Sequence, residues 1–269
     1  MKKTGTAGKE PGRTCRWAQF DYKDDAAAYE LEELSRPDEM AMINAASDWA
    51  AEALDLRTDA AVLDLCCGTG LSLRRIIDHP NICEVVGVDV SSEYLAFATE
   101  RFSKVNTLRL LQDDAVECVL ENQHWDVIVL SSAYHHIEDD RKVKFLKRIS
   151  ALLKPNGVAI MAENVLPPYA QGNSASYSEA VRFFYREVLA TAELESPDLP
   201  DEVRGLILRV AQYGCDGDYE YKSSMEVFLQ HAKEAALSIS RYKKVWPTEG
   251  PLCATTGGNY VFRIGNFKG

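Results

Sequence analysis

The chain has no HExxH segment, no Cys-X-X-Cys pair, no apolar run long enough to cross a bilayer and no excess of basic charge. Each absence removes a class of function. Without clustered cysteines or paired histidines at helical spacing, the usual structural zinc and dithiol redox motifs are excluded. Lys and Arg number 30 against 41 Asp and Glu, a formal net charge of -11, which works against attraction to a phosphate backbone and excludes nucleic acid as the expected partner. No stretch approaches the twenty or so apolar residues of a membrane helix, so no membrane partner is expected. The seven cysteines are an odd number scattered through apolar runs, the pattern of reduced thiols in a cytoplasmic protein. Residues 1–16 are polar, with no apolar core for a signal peptide, and read as a disordered leader to a single domain over 17–269. No internal repeat is present, and the sequence assigns no oligomeric state.

What is present is a strand and helix rhythm. Ile43, Ala46, Trp49, Ala50 and Leu54 recur at three and four residues, which predicts an amphipathic helix between Pro37 and Leu56. From Ala61 to Leu153, short β-branched runs alternate with longer segments, predicting parallel strands at 61–65, 83–89, 107–111 and 126–131 joined by helical crossovers. A helix is expected from Asp139 and Asp140, closed by the turn Lys154-Pro155-Asn156-Gly157, with a fifth strand at Val158 to Ala162. Residues 167–218 break the rhythm with two helical segments, Ser176 to Thr191 and Pro200 to Tyr213, read as a helical lid inserted after the fifth strand. Helical spacing resumes from Ser223 to Ala236. Runs at Ser238 to Trp246 and Asn259 to Ile264 then predict an antiparallel terminal hairpin at the sheet edge.

The chemistry concentrates at strand ends. Val62-Leu63-Asp64-Leu65-Cys66-Cys67-Gly68-Thr69-Gly70 carries an apolar strand into a tight glycine turn, Val85-Val86-Gly87-Val88-Asp89 ends in a carboxylate, and Asp113-Asp114-Ala115 follows the third strand. In an open parallel sheet such ends face the ligand crevice, where glycines admit close backbone approach and a carboxylate grips ribose hydroxyls. A nicotinamide fingerprint would need a third glycine where this chain continues Leu71-Ser72-Leu73. From Ala61 to Glu163 the spacing resembles the class I S-adenosylmethionine-dependent methyltransferases. That resemblance implies a Rossmann-like, seven-stranded, mostly parallel α/β sheet with helices on both faces, and S-adenosylmethionine as cofactor.

The same resemblance implies roles for individual residues. Asp64, Cys66, Gly68 and Gly70 would lie against the methionine part of the cofactor, Asp89 would hold the ribose, and Asp114 with Ala115 would meet the adenine, with Asp113 as the rival to Asp114. Ser131 and Ser132, at the end of the fourth strand, would sit near the sulfonium. Tyr22, Tyr29 and Arg36 are further candidates for cofactor contact through stacking, cation-π attraction or a carboxylate pair. Against these stand plainer readings: Cys66 as a small packing residue rather than a nucleophile, and Asp64 as an organiser of the turn.

Catalytic candidates are His135, Tyr134 and Glu163. His135 or Tyr134 is expected to face the substrate, with His136 packing locally. If the acceptor must lose a proton, His135 is the first choice of base and Glu163 the second, with capping of the following turn as the alternative for Glu163. No metal is expected, because neighbouring side chains of an extended segment point apart. The expected reaction is in-line methyl transfer to a small-molecule metabolite. The alternative is chemistry at another carbon of the sulfonium, either aminocarboxypropyl transfer or ring closure to azetidine-2-carboxylate with release of methylthioadenosine.

Overall fold

The structure, a computed structural model, describes residues 26–122 and 124–267. The predicted leader, the start of the ordered chain near Trp17 and the cofactor candidate Tyr22 lie outside the described residues. Strands β1 (Ala60–Leu65), β2 (Ile82–Asp89), β3 (Leu108–Gln112), β4 (Trp125–Ser131), β5 (Leu153–Leu166), β7 (Leu237–Trp246) and β8 (Gly258–Asn266) form one sheet in the order β3-β2-β1-β4-β5-β8-β7. A two-residue β6 (Ser223–Ser224) pairs with the end of β5, so the sheet has eight strands where seven were expected. The five strands from β3 to β5 are parallel, and β8 runs antiparallel to β5 and β7. The terminal hairpin is present, but its last strand lies inside the sheet and only β7 is at the edge.

Period-two alternation assigns each side chain of the sheet to one of two cores. Leu63, Leu65, Val86, Val88, Ile128 and Leu130 pack on one face with Phe145, Leu146 and Ile149 of α4 (Lys142–Leu152) and with Phe228 and Ala232 of α7 (Met225–Glu234). Val62, Val85, Val127 and Val129 pack on the other with Met42, Ala46, Trp49 and Ala50 of α2 (Pro37–Asp55) and with Leu95 and Ala98 of α3 (Ser92–Arg101). Each such buried aliphatic or aromatic side chain contributes roughly 1.5–3 kcal/mol. Helices therefore cover both faces, as a parallel sheet requires.

Several local expectations differ from the structure. Between β1 and β2 there is only a 3-10 turn, Leu73–Arg75, and no α-helix links β3 to β4, so these two crossovers are not helical. α4 begins at Lys142 rather than Asp139. The turn Lys154-Pro155-Asn156-Gly157 does not end the helix before a new strand; it bulges within β5, where the pairing passes from Trp125 with Leu153 to Val127 with Val158. The helical pair after β5 is present as α5 (Ser174–Glu195) and α6 (Asp201–Asp216).

One helix, α1 (Ala26–Ser35), was not foreseen because its amphipathicity is inverted. It buries Glu30, Glu32 and Glu33 and exposes Leu31 and Leu34. Among the described residues, no helix is long and apolar enough to cross a membrane.

Candidate active site

The sheet changes direction of growth between β1 and β4, and their carboxyl ends open into two adjoining clefts. The first, about 350 Å³, is lined by the glycine turn from Cys66 to Thr69, by Asp64, and by Tyr29, Glu33, Ser131 and Ser132. The turn is built from left-handed backbone: φ is +61° at Cys66, +54° at Gly68 and +78° at Gly70. Gly68 N–H donates to Asp89 Oδ2 (2.8 Å) and Ser91 N–H to Asp89 Oδ1 (2.9 Å), so the end of β2 holds the turn in place. Burial raises the Asp89 carboxyl above the usual range, opposed by these amides.

Asp64 is held well above the usual carboxylate range by burial and by Asp89. Its Oδ2 and the hydroxyl of Ser131 are buried without a hydrogen-bond partner among the described residues, and both residues line this cleft. Buried polar groups rarely stay unpaired, so the pair points to a polar ligand. Burial pushes the Cys66 thiol up, and Asp89 and Asp64 add to the shift, which disfavours the thiolate.

Further along the same edge, Asp113 Oδ1 accepts from Asp114 N–H (2.8 Å), while Asp114 Oδ1 accepts from Val116 N–H (2.8 Å) and its Oδ2 from Arg141 (2.7 Å). Ala115 is buried beside them. Asp89, Asp113, Asp114 and Ala115 line neither cleft. Tyr29 does, in both clefts, and stacks on Tyr94 with centroids 4.9 Å apart.

The second cleft, about 510 Å³, adjoins the first through Tyr29, Glu33 and Ser132. Ser132 (φ +50°) donates its hydroxyl to Glu39 Oε2 (2.7 Å). Arg36 lies here rather than in the first cleft, and its guanidinium is already engaged by Glu32 (3.0 Å), Asp38 (2.8 Å) and Glu39 (3.0 Å). Burial and the repulsion of Glu39 and Glu32 raise Glu33 well above the carboxylate range, against the pull of Arg36. Asn164 links Glu39 (3.1 Å) to Lys222 (3.0 Å), and Lys222 pairs with Glu220 (2.8 Å). Glu220 is lowered to about 2: burial works against ionisation, and Lys222 overcomes it.

The predicted segment 134–136 forms a 3-10 turn that sends its side chains different ways. Tyr134 turns inward: its hydroxyl bonds His231 Nδ1 (2.6 Å), its ring packs on Phe228, and it lines neither cleft. His135 and His136 both line the second cleft, with ring centroids 4.1 Å apart. The reason given for expecting no metal is therefore corrected, because these neighbours are not in extended backbone and do not point apart. Glu163 accepts from Tyr134 N–H (2.9 Å), Asn164 N–H (2.8 Å) and His135 Nδ1. Two of these three contacts orient the 134–136 turn, and Glu163 does not line the cleft. Burial, reinforced by Lys222 and His136, lowers His135 well below the usual imidazole range. This shift favours the neutral ring, and with Glu163 as acceptor the proton is assigned to Nδ1 and the lone pair to Nε2.

Sequence reasoning missed Glu32, Glu33, Glu39, Tyr219, Glu220 and Lys222. The last three arrive because Tyr221 N–H donates to His135 O (2.7 Å), and because buried Lys142 donates to Ile137 O (2.8 Å) and to Tyr221 O. The available signals were α1, acidic where a helix should be apolar, and the alternating aromatic and charged run Tyr219 to Lys222.

Residues 62–157 match the family model described as a methyltransferase domain. This segment is a methyltransferase domain. The chain is similar to an uncharacterized methyltransferase of Schizosaccharomyces pombe, with 32% identity covering 40% of this chain and 39% of that one. It is also similar to the demethylmenaquinone methyltransferase of Staphylococcus carnosus, at 26% over 45% and 51%. Among solved structures, an S-adenosylmethionine-dependent methyltransferase from Clostridium acetobutylicum shares the fold with a TM-score of 0.54 and 16% identity, covering 94% of each chain. The chain spans roughly two fifths to one half the length of the two curated relatives. The methyltransferase domain accordingly carries the glycine turn, Asp89, Asp113, Asp114 and the 134–136 turn. The described residues before it supply α1 and α2, and those after it supply Glu163, α5, α6 and the segment from Tyr219 to Lys222.

Proposed function

We propose that the protein transfers the methyl group of S-adenosylmethionine to a small-molecule acceptor. The observation that carries this reading is the pair of adjoining clefts, one at the methyltransferase glycine turn and one enclosed by α1, α6 and the 134–136 turn, meeting at Tyr29, Glu33 and Ser132. The first cleft fits the methionine end of the cofactor: unpartnered Asp64 Oδ2 suits its ammonium, and Ser131 Oγ can donate or accept. Asp89 is the ribose candidate, and its two oxygens keep lone pairs beyond those given to Gly68 and Ser91. When bound, the cofactor supplies an electrophilic methyl on a sulfonium.

The chain's own residues then align and dry the site. In-line displacement to a neutral thioether leaving group needs position more than acid or base, and alignment of this kind is worth roughly 7–11 kcal/mol in favourable intramolecular cases. The second cleft is rimmed by α6 through Leu206 and Val210, which supports the reading of the helical insertion as a lid over the acceptor. Of the three catalytic candidates only His135 faces the acceptor side. Glu163 fixes its tautomer and Tyr134 anchors the turn. The comparisons give no support to chemistry at another carbon of the sulfonium.

The test is calorimetric titration with S-adenosylhomocysteine, followed by mass spectrometry of products formed from S-adenosylmethionine and pooled metabolites. Saturable binding and formation of S-adenosylhomocysteine with a methylated product are expected. Absence of binding, or methylthioadenosine without S-adenosylhomocysteine, would overturn the proposal.

A further inference from the structure

We propose that His135 Nε2, His136 Nδ1 and Glu220 Oε1 form a binding site for a divalent transition-metal cation in the acceptor cleft. The three donor atoms lie within 4.8 Å of one another, with Glu220 Oε1 at 3.9 Å from His135 Nε2 and 3.7 Å from His136 Nδ1. These separations exceed hydrogen-bond length, and Glu220 Oε1 need approach each imidazole nitrogen only slightly, with the two imidazoles closing on each other, to reach the spacing set by metal bonds of about 2.0–2.2 Å. Two imidazoles and one carboxylate are the donor set that zinc and the neighbouring divalent ions take, with positions left open for an exogenous ligand.

The surrounding contacts orient each donor. Glu163 accepts from His135 Nδ1, which leaves the Nε2 lone pair for the cation and reproduces the carboxylate, histidine and metal relay common in such sites. Tyr219 Oη contacts His136 Nε2 (3.2 Å), and with Nε2–H donating there, Nδ1 exchanges its long contact to Tyr219 O (3.4 Å) for the cation. Glu220 Oε2 is occupied by Lys222 (2.8 Å) and Tyr185 (3.4 Å), which turns Oε1 to the imidazoles. Lys222, and more distantly Lys142, act against a cation here, and they are offset by Glu163 and Glu220 themselves. His135, His136 and Glu220 all line the acceptor cleft, so the open positions would take an oxygen-bearing group of the acceptor, a role that rests on the methyl-transfer reading although the site itself does not.

The experiment uses the full chain without a polyhistidine tag, stripped with chelator and titrated with Zn²⁺ and Co²⁺, while S-adenosylhomocysteine binding is measured on the same sample. About one equivalent of metal is expected, with Co²⁺ giving a visible spectrum free of thiolate charge transfer. His136→Gln and Glu220→Gln should lose this binding, and Glu163→Gln should weaken it about 10- to 100-fold by releasing His135. Protein that binds S-adenosylhomocysteine but takes up no metal would overturn the inference and leave the methyl-transfer reading standing. So would a thiolate spectrum in the wild type, or undiminished binding in both folded ligand variants.

Discussion

Gly70→Ala tests whether the glycine turn is held by backbone conformation alone or also by close packing. The residue has φ +78°, and a Cβ built there would stand 2.3 Å from Phe102 Cε2, a buried ring. Gly68 has φ +54°, but its added Cβ would meet only Tyr94 Cδ2 at 3.9 Å, an ordinary contact. Left-handed backbone costs a residue with Cβ about 1–2 kcal/mol, and overpacking a filled core adds about 1–3 kcal/mol. Gly68→Ala should therefore lower unfolding free energy by about 1–2 kcal/mol and Gly70→Ala by about 2–5 kcal/mol. Urea titration with linear extrapolation measures both. A double-mutant cycle with Phe102→Leu should recover the overpacking share, a favourable coupling of about 1–3 kcal/mol, and leave the backbone share. The reasoning is refuted if the two alanine variants agree within about 0.5 kcal/mol, or if Phe102→Leu and Gly70→Ala are simply additive.

Asp64→Asn removes the charge of a cleft carboxylate whose buried Oδ2 has no hydrogen-bond partner among the described residues. It should weaken S-adenosylhomocysteine by about 1.5–3 kcal/mol, the worth of a charged hydrogen bond, in calorimetry, with the fold kept by circular dichroism. Lys222→Met leaves Glu220 buried opposite no cation and should destabilise the fold by about 3–5 kcal/mol in denaturant, whereas Lys222→Met with Glu220→Met should recover most of that loss. Arg101 and Thr69 both bond Glu30, tying α1 to the glycine turn. Glu30→Ala should loosen α1, read as faster amide exchange over 26–35 and weaker cofactor binding; protection equal to wild type would count against that tie.

How much of this was legible in the sequence depends on whether function and chain contiguity coincide. Asp64, Cys66 and Gly68 sit at or just beyond a strand end, and a local apolar pattern fixes a strand end, so this part of the first cleft's lining could be named from the sequence. Gly70 and Asp89 are equally close to strand ends but line neither cleft. Tyr134, His135 and His136 are equally local, yet a single 3-10 turn decides which of them reach the cleft, and no periodicity reports such a turn. The acceptor side is assembled from six separate stretches, around Glu33, His135, Asn164, Tyr185, Leu206 and Glu220, and its polar part is held by buried ion pairs rather than by an apolar face. α1 shows why that hides it. Hydrophobic periodicity finds helices that bury leucine and expose glutamate, and this one does the reverse, with Leu31 59% exposed and Glu33 6%. Glu30 is met by Arg101, but Glu32, Glu33, Asp38 and Glu39 are buried around the single guanidinium of Arg36, which is unfavourable unless something else in the cleft compensates them. A helix that violates the burial rule therefore says more about the acceptor side than the strands that obey it: its ligand should carry hydrogen-bond donors or positive charge.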